Sequence, residues 1–338
     1  MFRADRGDAG VRLDRVLQRH LADRPAASRH AIQGWIGSGL VAVNGAAAAR
    51  PALRLRLGDE VALELPPLPP RRAHPAQELP LAVLHEDDHL LVIDKPAGLV
   101  VHPTAGHPEG TLWNALLFRA RLWPPGAGRR PSLVHRLDRG TSGVLLVAKS
   151  AAVHAALARA LRAPSAEKSY LALVHGRARL ARGRVALKVG VDPADRRRRL
   201  ASSTSGRDAL TLYERLAESP RGPLSLLACR LKTGRTHQIR VHLAALGLPL
   251  VGDRVYGEPR HIAGLLRALA DADLAARCRD LPRPALHAWR LAFRHPATRE
   301  PVAFEAPLPP DLADLFAAAG LPASSALPLR TAPGLLLL

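Results

Sequence analysis

One carboxylate, Asp138, stands between two arginines in the segment 135–143, which reads His-Arg-Leu-Asp-Arg-Gly-Thr-Ser-Gly. Small residues follow the acid and lead into the apolar run 144–148, so the segment is predicted to be a loop that ends at a strand. The neighbouring Arg136 and Arg139 favour an ionised carboxylate beside a phosphate-rich ligand. The alternative for such an acid is a surface residue that caps a turn.

A second group of polar side chains stands at the start of a predicted helix in the segment 231–243, Leu-Lys-Thr-Gly-Arg-Thr-His-Gln-Ile-Arg-Val-His-Leu. Thr236 occupies the position of an N-cap, and Ile239 begins the buried stripe of the helix. The polar residues at this end are Arg235, His237, Gln238 and Arg240. Because a helix N-terminus carries partial positive charge, these side chains suit contacts to phosphate and to a nucleobase.

A predicted strand at 168–174 places Lys168 and Tyr170 on one face, because side chains alternate along a strand. A tyrosine beside a lysine is a candidate platform on which a base can stack. The alternative is an ordinary core tyrosine whose hydroxyl finds a hydrogen-bond partner.

The elements that must position these groups follow from the pattern of short apolar runs. Strand-like runs occur at 90–93, 144–148, 170–174, 224–230 and 291–293. Helical periodicity occurs at 111–122, 151–161, 237–246 and 262–269. Strands and helices do not alternate strictly, so we expect an α+β fold with a mixed, mostly antiparallel sheet flanked by helices.

The beginning of the chain predicts a separate small unit. Two helices, the second capped by Ser28, precede a hairpin that turns at Asn44-Gly45. The predicted divisions are 10–66 for this unit, 67–80 for an extended proline-rich linker, 81–318 for the larger domain and 319–338 for a partly ordered tail.

The composition favours a polyanionic partner. The 338 residues carry a formal net charge of +20, from 49 basic and 29 acidic side chains. Only five of the basic residues are lysines, so an arginine-rich coding bias accounts for part of this excess. The stretch 177–207, which includes four arginines at 196–199, still holds ten basic and two acidic residues. Such a loop can follow a phosphate backbone, although a solvated charge run is the simpler alternative.

Other chemistries find little support in the sequence. Two cysteines exclude a disulfide framework and a multi-cysteine zinc site. The run 85–89, His-Glu-Asp-Asp-His, resembles a metal site, but a polar turn before a strand is the expected structure. Neither a GxGxxG turn nor a P-loop occurs, so we expect no metal and no cofactor. A charged N-terminus and apolar runs well below the ~20 residues of a membrane span predict a cytoplasmic protein without membrane contact.

Taken together and in this order, the segments resemble the RluA family of pseudouridine synthases, in the branch that acts on large-subunit ribosomal RNA. The matching segments are 94–103 (Asp-Lys-Pro-Ala-Gly-Leu-Val-Val-His-Pro), 102–111, 135–143, 168–174, 233–242 and 249–257. The small N-terminal unit is similar to the RNA-binding domain named after ribosomal protein S-four. That similarity rests on Arg12-Leu13-Asp14, Ser28-Arg29, 39–45 and 58–60.

The resemblance implies roles for individual residues. Asp138 would be the essential carboxylate, Arg235 its counter-ion in a closed pocket, and Tyr170 the ring that stacks on uracil and takes or relays a proton. Arg136 would support the flipped-out nucleotide. The further RNA contacts would be His135, Thr141, Lys168, His237, Gln238 and Arg240 in the larger domain, and Arg12, Arg29 and His30 in the N-terminal unit. The implied partner is RNA, bound by a monomer that needs no cofactor.

Two positions depart from the family pattern. Arg139-Gly140 stands where a Lys-Asp pair is usual, and Pro284 replaces a usual glutamine. Neither removes a proposed catalytic group, but Gly140 is expected to loosen the loop that carries Asp138.

Two alternatives to the leading hypothesis stay open. The same isomerisation could act on transfer RNA or messenger RNA, or the chain could be a catalytically silent RNA-binding factor of ribosome assembly. The intact set of Asp138, Tyr170 and Arg235 argues against a silent binder, because a buried carboxylate that faces a polyanion weakens binding.

Overall fold

The computed structural model describes residues 1–21, 27–64, 74–104, 106–124, 130–269 and 271–322. The chain divides into two compact units, Met1–Ala73 and His74–Leu338. Three predicted features lie outside the described residues. They are Leu65, which is the last residue of the predicted second hairpin strand, the prolines within 66–70, and the tail beyond residue 322. The predicted domain boundaries stay predictions.

The first unit contains two helices and a small antiparallel sheet. Its helices are α1 (Leu13–His20) and α2 (Arg29–Gly37), and its strands are β1 (Phe2–Arg3), β2 (Val41–Val43), β3 (Ala46–Ala47) and β4 (Glu60–Leu63). The Ser28 hydroxyl accepts a hydrogen bond from the Ala31 amide at 3.2 Å, as expected of an N-cap. Asn44 and Gly45 have φ angles of 52° and 80°, which the tight turn between β2 and β3 requires.

The second unit contains the remaining twelve strands and six helices of the described residues. The strands are β5 (Ala82–Glu86), β6 (Leu90–Lys95), β7 (Ser132–Leu133), β8 (Ser142–Ala148), β9 (Glu167–His175), β10 (Arg182–Val185), β11 (Lys188–Val191), β12 (Arg199–Ser202), β13 (Thr211–Glu218), β14 (Leu224–Leu231), β15 (Leu286–Arg294) and β16 (Pro301–Glu305). The helices are α3 (Leu112–Arg119), α4 (Ala151–Ala160), α5 (Gln238–Ala245), α6 (Pro259–Arg267), α7 (Ala272–Asp280) and α8 (Pro310–Ala318).

Ten of these strands form one large sheet in the described part of the chain. Its order is β10-β13-β14-β9-β15-β8-β6-β5, with β16 paired to β15 and β7 paired to β8. Only the pair of β15 and β8 is parallel, and β11 and β12 form a separate hairpin. The predicted α+β class with a mostly antiparallel sheet is confirmed. Each predicted strand run lies within a strand, and each predicted helical run overlaps a helix.

Helices cover both faces of the sheet because its strands alternate apolar side chains between the two faces. On β9, Leu171 and Leu173 pack with α7 and α8, whereas Ala172 and Val174 pack with α5. On β8, the residues that alternate with Leu145 pack with α4, and Leu145 itself packs with α3. Tyr170, like Ala172 and Val174, lies on the face of the sheet that α3 and α5 cover. Among the helices in the described ranges, none is long and apolar enough to cross a membrane.

A close backbone approach fixes the start of β8. Gly143 has a φ of 113°, and a Cβ atom at this position would lie 2.1 Å from the Ala288 carbonyl oxygen on β15. Only glycine permits both the φ angle and the approach. The last glycine of the segment 135–143 therefore sets the point at which the loop carrying Asp138 joins the sheet.

Candidate active site

The loop that carries Asp138 connects β7 to β8 and is fixed on several sides. Leu137 is buried in the core beside α3, which leaves Asp138 on the opposite side of the loop. The Asp138 carbonyl accepts from the Thr141 amide at 3.0 Å. His135 Nε2 accepts from the Leu146 amide at 3.1 Å, and burial lowers the pKa of His135 to about 4, so this ring is neutral. Both His135 and Thr141 thus hold the loop in place.

Lys95, at the end of β6, is fully buried beneath the same loop. Its Nζ donates to the carbonyl oxygens of Pro96 at 2.7 Å, Leu99 at 3.1 Å and Arg139 at 3.3 Å. Burial lowers the pKa of Lys95 to about 8, so most of its charge persists at neutral pH. A buried cation thus joins the turn after β6 to the residue that follows Asp138.

The two departures from the family pattern contact each other. A Cβ at Gly140 would lie 3.0 Å from Pro284 Cδ, so glycine leaves the space that the proline ring needs. Arg283 Nη1 donates to the Gly140 carbonyl at 3.4 Å. The Arg283 guanidinium is itself paired with Asp311 at the start of α8, at 2.6 and 2.7 Å. These contacts hold Gly140 from outside the loop, and the expectation that the glycine loosens the loop stays a prediction.

The charged partner of Asp138 is Arg240, on the first turn of α5. Arg240 Nη1 lies 3.5 Å from Asp138 Oδ2. The same guanidinium holds Asp253 by two hydrogen bonds, of 2.7 and 2.9 Å, and lies over the Tyr256 ring. Burial alone would lower the pKa of Arg240, but its carboxylate partners raise it above its usual value. Asp138 therefore faces a permanent, rigidly held cation.

Arg235 does not occupy the position that the sequence suggested. Its Nε donates to the Asp208 carbonyl at 3.1 Å, and among the described residues its side chain forms no ion pair within 4 Å of Asp138. Arg235 precedes the helix, whereas Arg240 follows His237 by almost one turn and shares its face. The expected pair of Asp138 and Arg235 is therefore replaced by Asp138 and Arg240.

The start of α5 also differs from the expectation. His237, with a left-handed φ of 59°, is the N-cap residue, and the Thr236 hydroxyl instead accepts from Arg136 Nη2 at 2.7 Å. Gln238 is buried, and its amide bonds Thr233, the Arg235 amide, Leu210 and Thr211. These hydrogen bonds commit Gln238 to the fold of the turn, and its predicted contact with RNA stays a prediction.

These side chains line one cleft of about 420 Å³. All the predicted site residues of the larger domain lie on its wall: His135, Arg136, Asp138, Thr141, Lys168, Tyr170, Arg235, His237, Gln238 and Arg240. Tyr170 packs between two core clusters, and burial raises its pKa, so its hydroxyl keeps its proton. Lys168 Nζ donates to the Leu161 carbonyl at 3.2 Å on the same side as Tyr170. The Asp138 carboxylate, the Arg240 cation, the Tyr170 ring and the exposed Arg136 thus surround a space that suits one flat, polar group.

Comparison with known proteins assigns the chain to a family. A family profile described as RNA pseudouridylate synthase matches residues 89–245, and an S4 domain profile matches residues 11–61. The "Ribosomal large subunit pseudouridine synthase D" of Xanthomonas campestris is 45% identical over 312 residues, which cover 92% of this chain and 89% of that protein. The protein of the same name from Nitrosomonas europaea is 42% identical over 320 residues, 94% of this chain and 87% of that one. The chain belongs to the RNA pseudouridylate synthase family.

Solved structures agree with this assignment. The human RNA pseudouridylate synthase domain containing protein 1 aligns with a TM-score of 0.54 at 26% identity, over 72% of this synthase and 90% of that chain. The related human protein 4 aligns with a TM-score of 0.56 at 23% identity, over 71% and 93%, and supports the fold alone. The sequence-based prediction of an isomerase of the pseudouridine synthase family is confirmed.

The N-terminal unit of the synthase exposes its three predicted RNA contacts. Arg12 holds the buried Asp14 by two hydrogen bonds of 3.0 Å, and Arg29 lies 3.7 Å from the same carboxylate. The hydrogen bond from Arg12 is the main reason that the pKa of Asp14 falls to about 2. His30 is exposed beside Arg29. The fixed carboxylate orients two guanidinium groups whose outer sides face solvent.

The run 85–89 of the synthase does not form a metal site in the described ranges. Asp87 Oδ2 contacts His85 Nε2 at 3.0 Å and His295 Nε2 at 3.2 Å, and its Oδ1 accepts from the His89 and Leu90 amides. Within the residues described, no group of three or more His, Cys, Asp or Glu side chains is arranged to hold a metal ion. The expected polar turn before β6 is present at 87–89, whereas His85 and Glu86 lie at the end of β5.

Several residues of the site were not predicted from the sequence. They are Lys95, Asp253, Tyr256, Arg283 and Thr236. Lys95 had a signal, because a lysine in an arginine-rich chain is unusual. Asp253 lies in the quoted segment 249–257, but its pairing with Arg240 appears only in three dimensions.

Proposed function

We propose that this synthase isomerises specific uridines of large-subunit ribosomal RNA to pseudouridine. The observation that carries the proposal is the cleft in which Asp138, Arg240 and Tyr170 meet. Two relatives above 40% identity are named as ribosomal large subunit synthases, and the S4 profile adds an RNA-binding module. Ribosomal RNA is therefore favoured over transfer RNA, which stays the alternative substrate of the same chemistry.

The reaction exchanges one bond to the ribose for another. The bond between C1′ and N1 of the uracil breaks, the base rotates, and C5 bonds to C1′. C5 then loses its proton and N1 gains one, so the product is an isomer of the substrate. Asp138 would either attack C1′ or assist removal of a ribose proton, and both routes need its ionised form. Arg240 supports that form in a partly desolvated cleft.

Tyr170 is proposed to stack on the uracil and to relay the proton that leaves C5. Because burial raises its pKa, the hydroxyl begins the reaction protonated, so it can accept a proton only while it passes its own to another acceptor. The target base must leave its helical stack before it can reach Tyr170, which costs a few kcal/mol. The exposed Arg136, which bonds Thr236 across the cleft, is the proposed support for the displaced nucleotide.

The remaining contacts of the larger domain are proposed to hold RNA at the mouth of the cleft. Lys168 and Arg235 line the cleft without forming an ion pair with Asp138. The arginines at 196–198 are exposed between β11 and β12. The half-buried Arg199 begins β12, and its amide contacts Tyr256 beside the cleft. Such side chains suit the phosphates that flank an extruded nucleotide.

We also propose that the synthase acts as a monomer in the cytoplasm. The carboxylate, the cation and the aromatic ring of the cleft come from one chain, which supports action as a monomer. The two named relatives are bacterial proteins, and bacteria assemble ribosomes in the cytoplasm.

A comparison of RNA from cells with and without this gene tests the substrate. We expect individual pseudouridines of large-subunit ribosomal RNA to disappear on deletion and to return when the wild-type gene is restored. Restoring an Asp138→Asn gene is the matched control and should leave those positions as uridine. Loss of pseudouridine from transfer RNA alone would show that transfer RNA, the alternative, is the substrate in place of ribosomal RNA. Unchanged modification of all RNA, with the purified protein inactive on ribosomal RNA, would overturn it.

Removal of the N-terminal unit tests its part in RNA binding. We expect a chain that begins at residue 74 to bind folded ribosomal RNA at least about tenfold more weakly, with a shallower dependence of affinity on salt, because phosphate contacts are lost. Its single-turnover rate at saturating RNA should stay within about threefold of the wild type. The matched variant Arg29→Gln/His30→Gln in the full chain should weaken binding in the same direction. Equal affinity and equal salt dependence for all three proteins would contradict this role.

A further inference from the structure

A chain of polar contacts leads from Arg199, at the start of β12, through Tyr256 and His237 toward Asp138. The Arg199 backbone amide can only donate, and it donates to the Tyr256 hydroxyl oxygen at 2.9 Å. The one proton of that hydroxyl is then available to His237 Nδ1, 2.7 Å away. Where the hydroxyl donates to Nδ1, His237 is the acceptor and its neutral ring carries the proton on Nε2.

The other side of the ring faces the catalytic carboxylate. His237 Nε2 lies 3.8 Å from Asp138 Oδ2, which is longer than a hydrogen bond but can shorten in the complex with substrate. Arg240 approaches the same oxygen at 3.5 Å. Since both contacts are to Oδ2, the carboxylate is held by one oxygen, and its Oδ1 can face the ribose.

The backbone of His237 is held in the left-handed region. Its φ is 59°, where residues other than glycine are uncommon, although asparagine, aspartate and histidine are enriched among them. Such strain persists only where surrounding contacts determine the geometry. Here the conformation presents one ring nitrogen to Tyr256 and the other to Asp138.

We propose that His237 is a positioning residue of the isomerisation, which donates from Nε2 to Asp138 while Tyr256 fixes its tautomer. The inference rests on the proposed function and deepens it. It also links Arg199 to the reaction, because the Arg199 amide orients the Tyr256 hydroxyl. The charged and titratable groups that face His237 are Asp138, Arg240, Asp253, Arg199 and Tyr256.

The first experiment removes only the Tyr256 hydroxyl. We expect Tyr256→Phe to lower kcat about tenfold, because His237 Nδ1 can then hold the proton and leave Nε2 without one. KM for RNA should stay within about twofold. The acid limb of the kcat profile should move to higher pH, since the ionised carboxylate loses a donor. Tyr213→Phe, which removes a hydroxyl from a core tyrosine outside this network, is the control and should change neither quantity.

The second experiment separates the two ring nitrogens. An asparagine amide lies near the position of Nδ1 and tolerates the left-handed backbone, whereas a glutamine amide extends to the position of Nε2. We expect His237→Asn to lower kcat by about tenfold or more, and His237→Gln to recover at least part of that loss. Combining Tyr256→Phe with His237→Asn should lower kcat no further than the worse single variant, because both break one connected unit.

Two outcomes would overturn the inference while the proposed function stands. One is additive losses from Tyr256→Phe and His237→Asn; the other is ¹⁵N shifts that place the proton of His237 on Nδ1 in the full-length wild-type protein. A loss of folding is detected separately, by the melting temperature of each variant. If the wild-type protein itself forms no pseudouridine in ribosomal RNA, the proposed function fails and not this inference alone.

Discussion

Replacement of Asp138 by asparagine abolishes pseudouridine formation and leaves RNA binding within a few-fold of the wild type. The side chains have nearly the same shape, so the loop keeps its contacts through Leu137, Thr141 and Lys95. The amide cannot act as an anionic nucleophile or base, and we expect kcat to fall at least about a thousandfold. Removal of a negative charge that faces a polyanion does not weaken binding. Release of tritium from C5-labelled uridine measures turnover, and filter binding measures affinity.

A matched control makes the same charge change near the cleft. Asp208 is exposed, and its backbone carbonyl bonds Arg235, so Asp208→Asn alters the local charge without reaching Asp138. We expect this variant to keep kcat within about twofold. Turnover by Asp138→Asn at the wild-type rate, in protein free of wild-type enzyme, would remove the catalytic assignment.

Much of the fold could be predicted from the sequence because it depends on local patterns. Alternation along β9 placed Lys168 and Tyr170 on one face, and both line the cleft. The Gly-Thr-Ser-Gly run indicated a loop that ends at a strand, and β8 begins within it. The hairpin turn at Asn44-Gly45 followed from the φ angles that these residues tolerate. In each case neighbouring residues contain the information.

The errors occur where a distant contact overrides a local preference. Thr236 is a good N-cap by residue type, but its hydroxyl bonds Arg136, a hundred residues earlier in the chain, and His237 takes the cap position. Gln238 looked available to RNA, but its amide satisfies backbone and side-chain groups from β13 and the turn. No local pattern reports such pairings.

The counter-ion of Asp138 shows the same limit. The sequence placed His237 and Arg240 on one helical face, which was the available signal for Arg240. The deciding feature is Asp253, which holds the Arg240 guanidinium and so aims Nη1 at Asp138. That pair joins α5 to a turn thirteen residues later, and the spacing alone does not reveal it.

Arg240→Met should therefore damage both stability and turnover. We expect the free energy of unfolding to fall by about 3–5 kcal/mol, because the buried Asp253 carboxylate loses its partner. We expect kcat to fall at least about a hundredfold, because Asp138 loses the cation beside Oδ2. Arg235→Met is the matched control. Its half-buried side chain bonds one backbone carbonyl. The free energy of unfolding should therefore change by less than about 1 kcal/mol, and kcat should fall by less than about tenfold.

A double variant separates the two effects of Arg240. Arg240→Met combined with Asp253→Asn removes the unpaired charge, while the asparagine oxygen can still accept from the Val255 and Tyr256 amides. Removing both members of a buried pair costs less than removing one, so chemical denaturation should show recovered stability. The cation beside Asp138 is still absent, so kcat should stay as low as in Arg240→Met. Recovery of kcat with stability would reduce Arg240 to a structural residue. A stable Arg235→Met that loses kcat a hundredfold would instead make Arg235 the counter-ion during turnover.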